Sequence, residues 1–196
     1  MSIETTNHAK YQTENPVVRR LIAGFFTKLR SVILSHPSTS LLDAGCGEGH
    51  TLEKLKDILP PQVSGFDLNP ECIVFARERL PAYNFSPGSL YEIAHPNDSF
   101  DTVICCEVLE HLEHPENALK ELMRVAKQQI VLSVPYEPYF QLGSLMRGKY
   151  LATWGNHPEH INHWNPRSFR KFLQAAGLNP TIKVAFPWLI AHSNLG

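Results

Sequence analysis

Net charge of either sign is what this chain most plainly lacks. Its 196 residues carry 18 Lys and Arg against 19 Asp and Glu. No global basic field therefore points to nucleic acid. Cysteine is scarce as well: Cys46, Cys72, Cys105 and Cys106 show no metal-ligand spacing. The vicinal pair Cys105-Cys106 lies in an apolar run and reads as small buried hydrophobes of a reducing compartment. No apolar run approaches the roughly 20 residues of a membrane span, and the N-terminus has no secretory pattern. Repeats and low-complexity tracts are missing too. What remains is expected to be one cytoplasmic domain, long enough to bury a full core.

The stretch that organises the chain is Ser40-Leu41-Leu42-Asp43-Ala44-Gly45-Cys46-Gly47-Glu48-Gly49-His50. Ser40 to Asp43 read as the end of a buried strand. A helical pattern follows from Thr51, with Leu52, Leu55, Ile58 and Leu59 as its apolar positions. Strand, glycine turn and helix let a ligand approach the backbone closely. Asp43 sits two residues before the first glycine, where a carboxylate would repel a pyrophosphate but suit an ammonium group. A second predicted strand, Val63 to Phe66, ends in Asp67, 18 residues past Gly49. That acid is placed to accept two hydrogen bonds from a ribose diol. A ligand with an amino-acid end and a nucleoside end is S-adenosylmethionine.

Leu41 to Gly49 and Asp67 resemble motifs I and II of the class I S-adenosylmethionine-dependent methyltransferases, and the resemblance extends over roughly residues 38–180. It implies a Rossmann-like α/β fold: a doubly wound, mostly parallel sheet of seven strands with helices on both faces. It also implies a methyl-acceptor substrate, without saying which. The cofactor-binding residues expected from it are Asp43, Gly45, Gly47, Asp67, Leu68, Ser89, Leu90, Cys106 and Glu107. Ser89 stands where the family usually has an aspartate that bonds adenine. A nicotinamide enzyme and a non-catalytic cofactor-binding partner domain are the competing readings.

Along the chain, Pro16 opens an amphipathic helix with Val17, Leu21, Phe25, Leu29 and Val32 on one face. Residues 1–37 are expected to form an N-terminal helical lid in which Tyr11 covers the cofactor, and residues 38–135 the cofactor-binding core. Asn69-Pro70 begin a helix, and strands are predicted over Tyr83 to Ser86, Asp98 to Cys106 and Gln129 to Val134. Asp101 is read as a structural hydrogen-bonding residue at the start of its strand. Residues 136–165 carry Tyr136, Tyr139, Phe140, Tyr150, Trp154, Trp164 and three histidines, and are expected to form an acceptor-binding insertion. Residues 166–196 complete the fold with a helix over Pro166 to Ala176 and strands from Leu178 and Trp188.

A second constellation follows the fourth strand: Glu107-Val108-Leu109-Glu110-His111. If this stretch is helical, Glu107, Glu110 and His111 share a face. His157, His160 and His163 lie downstream. Two carboxylates with imidazoles suit a divalent ion of the Mn, Fe, Co or Zn kind. The run resembles the metal site of small-RNA 2′-O-methyltransferases, with His160 matching their later histidine, which implies Glu107, Glu110, His111 and His160 as ligands. It recurs in ubiquinone-pathway O-methyltransferases and in generic small-molecule methyltransferases, many without metal. The expected acceptor is therefore a small-molecule O or N atom, with RNA the alternative, and His111, His160 and His163 are the candidate bases.

Overall fold

The computed structural model describes residues 14–137, 139 and 160–195. Tyr11, Phe140, Tyr150, Trp154 and His157, named above, lie outside the described residues. Helix α1 (Pro16–Ile33) starts where Asn15 caps it, its side chain accepting from the Val17 and Val18 amides at 2.9 and 3.3 Å. Then follow β1 (Ser40–Ala44), α2 (His50–Leu55), β2 (Gln62–Asp67), α3 (Pro70–Arg79) and β3 (Asn84–Pro87). β4 (Phe100–Cys106) leads through a single 3-10 turn, Leu109–His111, into α4 (Pro115–Val125) and β5 (Ala126–Pro135). The chain closes with α5 (Pro166–Ala175), β6 (Thr181–Ala185) and β7 (Trp188–Asn194).

One seven-stranded sheet runs in the order β3-β2-β1-β4-β5-β7-β6. The first five strands are mutually parallel, and β7 pairs antiparallel with both β5 and β6. This is the doubly wound arrangement expected from the sequence. Central strands of such a sheet are covered on both faces, so β1 and β4 are apolar runs rather than alternating ones. Adjacent residues in β4 serve opposite layers. Val103 and Cys105 join one core cluster with Leu119 and Leu122 of α4 and Phe169 of α5. Ile104 joins the other, with Leu29 of α1, Leu52 of α2 and Ile73 of α3.

Several strand ends shift by two or three residues, β4 starting at Phe100, β5 at Ala126 and β6 at Thr181, and there are two further differences. α2 ends at Leu55 instead of reaching Leu59: the chain passes into a turn in which Ile58 N–H donates to the Leu55 carbonyl at 2.8 Å, and Pro60 bars the helical region at Leu59. The Glu107 to His111 stretch is not one helix. Glu107 has φ +60°, in the left-handed region, and the 3-10 turn begins only at Leu109.

Candidate active site

The order of strands reverses between β1 and β4, and a cavity opens at their carboxyl ends, lined by Gly45 and Cys46 after one and by Cys106 and Glu107 at the other. The glycine turn after β1 forms its floor. Gly45, Gly47 and Gly49 all have positive φ, at +79°, +52° and +79°. Gly45 also needs to be small: a Cβ there would stand 2.6 Å from Val108 Cγ2. The turn is stitched to the neighbouring strand, since the Gly45 and Cys46 amides both donate to the Phe66 carbonyl at 2.8 and 2.9 Å. Gly47 N–H donates to Asp67 Oδ2 at 2.8 Å, and Asn69 N–H donates to Asp67 Oδ1 at 2.9 Å.

Asp43 lies behind this turn, not on the cavity wall. It is 1% exposed, and among the described residues neither carboxylate oxygen accepts a hydrogen bond. Burial, and secondarily the Asp67 charge, push its carboxyl from the ordinary 3.8 up to about 7. A buried acid without a partner costs stability unless a cation or a proton meets it.

Of the residues expected to hold a cofactor, Gly45, Gly47, Asp67, Cys106 and Glu107 line the cavity together. Glu107 is anchored by Ser133, whose Oγ donates to Glu107 Oε1 at 3.0 Å. Burial pushes the Cys106 thiol well above its ordinary range, which makes it a wall rather than a nucleophile. Leu68, Ser89 and Leu90 do not line this cavity. Leu90 is buried in the α4-side core, while Ser89 Oγ accepts from the Tyr91 amide at 3.2 Å and closes a local turn. Leu68 stands 77% exposed beside Asp67.

Further residues line the cavity beyond the expected cofactor set. Ile22, Phe25 and Phe26 of α1 and Trp188 of β7 supply an apolar wall, with the Phe25 and Trp188 rings 5.3 Å apart. Glu48 and His50 also face the cavity, joined by a 3.0 Å contact between Glu48 Oε2 and His50 Nε2. Burial first, then the Arg79 charge, lower the His50 pKa. Their identity was visible in the glycine motif, but nothing in apolar periodicity marks a pair two residues apart as facing one another.

The second constellation forms with one member exchanged. Ligand atoms of Glu110, His111 and His160 lie within 4.8 Å of one another, and Glu107 is not among them. The left-handed backbone at Glu107 turns it to the cavity, while Glu110 is carried inward to 1% exposure. His111 belongs to both places, lining the cavity and lying 5.0 Å from His160, ring centroid to ring centroid. Glu137, missed by the sequence reading, places Oε1 3.9 Å from His160 Nδ1. His163 is exposed and stands outside the group. Asp101 has the structural role expected of it: it accepts from Thr39 N–H at 2.8 Å, Thr39 Oγ1 at 2.6 Å and Gln128 Nε2 at 3.0 Å.

Comparison with known proteins agrees with this geometry. A protein of Mycolicibacterium smegmatis named as a probable S-adenosylmethionine-dependent methyltransferase is 29% identical over 139 residues, 70% of this chain and 51% of that protein. The mitochondrial ubiquinone biosynthesis O-methyltransferase of Saccharomyces cerevisiae is 35% identical over 91 residues, 43% of this chain and 28% of that enzyme. The chain thus spans about half the length, or less, of these curated relatives. Among solved structures, magnesium protoporphyrin IX methyltransferase from Synechocystis PCC 6803, with bound SAH, superposes with a TM-score of 0.67. That match has 20% identity and covers 94% of this chain and 89% of the other, so it speaks for the fold. The sequence profile of the methyltransferase domain matches residues 11–182, and with it the chain is placed as a member of the methyltransferase domain family.

Proposed function

We propose that this domain binds S-adenosylmethionine at the carboxyl ends of β1, β2 and β4 and transfers its methyl group to an O or N atom of a small-molecule acceptor. The observation that carries the reading is the pair of carboxylates at adjacent strand tips, Asp43 and Asp67, with a positive-φ glycine turn between them. When bound, the cofactor supplies an electrophilic methyl on a cationic sulfur. Asp67, already held by Gly47 and Asn69, keeps lone pairs for a ribose diol. Asp43, which does not line the cavity, would act on an ammonium through its buried charge and not by contact. Leu68, exposed beside Asp67, offers an apolar face to a flat base.

The acceptor would enter between Glu107, His111 and the α1 and Trp188 wall. Alignment is the chief contribution, because fixing two reactants in line supplies several kcal/mol, about 7–11 at most. His111, which lines the cavity, would take the proton of a hydroxyl or amine, a contribution of about 10²–10⁴-fold. On this reading α1 is part of a lid, and residues 136–165 belong to the acceptor side.

The spacing of Glu110, His111 and His160 favours a second reading, in which they hold a divalent ion. One carboxylate and two imidazoles fit Zn, Mn, Fe or Co better than Mg. Such an ion would lower the pKa of an acceptor hydroxyl, and it is this reading that keeps RNA as an alternative acceptor.

An acceptor screen read by S-adenosylhomocysteine formation tests the proposal, with elemental analysis and chelation alongside. Turnover that survives chelation removes the metal reading and the RNA alternative with it. Cofactor binding without turnover on any acceptor class would favour a partner-binding domain, and binding of a nicotinamide cofactor in place of S-adenosylmethionine would overturn the proposal.

A further inference from the structure

The turn that carries Glu110 and His111 is only three residues long, Leu109–His111. So short a 3-10 turn satisfies little of its own backbone, although Leu112 N–H does donate to the Leu109 carbonyl at 3.3 Å. Much of that deficit is met by one dipeptide from far along the chain. The amides of Ile161 and Asn162 both donate to the Glu110 carbonyl, at 2.8 and 3.0 Å. The side-chain amide Nδ2 of Asn162 donates to the carbonyls of Leu109, at 3.1 Å, and Leu112, at 2.7 Å. A carboxamide nitrogen has two hydrogens, and Asn162 uses both on the two ends of the same turn.

His160 is two residues away on the strap so fastened. Its ring meets His111 edge-on with centroids 5.0 Å apart, and Glu137 flanks its other side with 3.9 Å between Oε1 and Nδ1. The strap is also held further along, where Glu137 N–H donates to the Trp164 carbonyl at 2.8 Å. Asn162 stands between that contact and His160 along the chain, and its bonds reach the turn itself.

We infer that Asn162 is the positioning residue of the acceptor end, holding His160 against the turn that bears His111. This rests on the reading that His111 and His160 act at the acceptor end. Asn162 lines no part of the cofactor cavity, so its effect is separable from cofactor binding. Leucine has a similar shape and no donors; aspartate keeps the size but sets a carboxylate against two carbonyls; glutamine keeps both donors on a longer arm.

The test compares wild type with Asn162→Leu, Asn162→Asp and Asn162→Gln, using S-adenosylhomocysteine as the probe and nuclear magnetic resonance of the imidazoles. Wild type should show cross-relaxation between the His111 and His160 rings and a protected Ile161 amide. In the Leu and Asp variants the ring cross-peak should vanish and Ile161 exchange should quicken about tenfold or more, while S-adenosylhomocysteine affinity stays within about twofold. The Gln variant should recover part of both signals. An unchanged cross-peak and unchanged protection in Asn162→Leu would overturn the inference, as would loss of cofactor affinity in step with them. His111→Ala and His160→Ala are the separate control. If both turn over like wild type on an acceptor found by the screen, the acceptor-end reading fails, whatever the clamp does to geometry.

Discussion

Gly47 N–H donates to Asp67 Oδ2 across 2.8 Å, tying the bend after β1 to the tip of β2. One carboxylate therefore both shapes the glycine turn and faces the cavity that the turn floors.

Asp67→Ala should accordingly weaken S-adenosylmethionine binding by more than a ribose contact alone. Hydrogen bonds to a charged group contribute about 1.5–3 kcal/mol, so a loss of about 10–150-fold is expected by calorimetry. Asp67→Asn should fall between the two proteins. Affinity equal to wild type in Asp67→Ala would remove this residue from the binding site.

Asp43 gives a pH dependence whose sign follows from its raised pKa. The folded protein holds this proton up to about pH 7, whereas the unfolded chain releases it near the ordinary 3.8. Stability of the cofactor-free protein should therefore fall as pH rises between those values, by up to about 4 kcal/mol once Asp43 is ionised. Asp43→Asn should flatten that dependence: more stable than wild type at pH 8, equal to it near pH 4. Urea unfolding at both pH values checks this. Cofactor affinity should move the other way, since the variant has no charge to offer an ammonium.

Gly45→Ala meets two obstacles, the +79° φ and Val108 Cγ2 at 2.6 Å. Each costs about 1–3 kcal/mol. Val108→Ala in the same chain should return the steric part and leave the backbone part, so a double-mutant cycle separates them. A cycle with no coupling would mean that the two residues do not press on one another.

Asp101→Ala should destabilise without touching the cavity. Thr39, through its hydroxyl and its amide, holds the Asp101 carboxyl below its ordinary pKa. The stabilisation is complete above the unfolded value of 3.8 and is lost as pH falls through the lower folded value. A loss of about 1–3 kcal/mol at neutral pH, with cofactor affinity unchanged, is the expected result. A weakened cofactor site would instead make Asp101 part of the binding machinery.

The strands and the glycine turn could be read from the sequence because local rules and the global fold agree there. Positive-φ glycines, a buried parallel strand and a capped helix each leave their own mark on residue choice. At Glu107 that agreement fails. Its spacing to Glu110 and His111 fits a helix, but its backbone is left-handed and its carboxylate accepts from Ser133 Oγ, which no apolar period reveals. Ser89 matched a family position and was instead absorbed into its own turn. Asn162 gave no signal at all. A single amide acquires a role only when it reaches carbonyls 50 and 53 residues earlier.

Glu137 and His160 meet 3.9 Å apart although 22 residues intervene in the sequence. Their neighbours Trp164, Ile161 and Asn162 secure the junction by main-chain and amide bonds that involve none of the intervening side chains. The junction thus works as a socket with fixed rims. Closing a chain segment between fixed ends grows costlier by only about 0.6 kcal/mol per doubling of its length. On the proposed reading, sequences of other lengths could be grafted between those rims to change acceptor preference, while the strand tips that grip the methyl donor stay as they are.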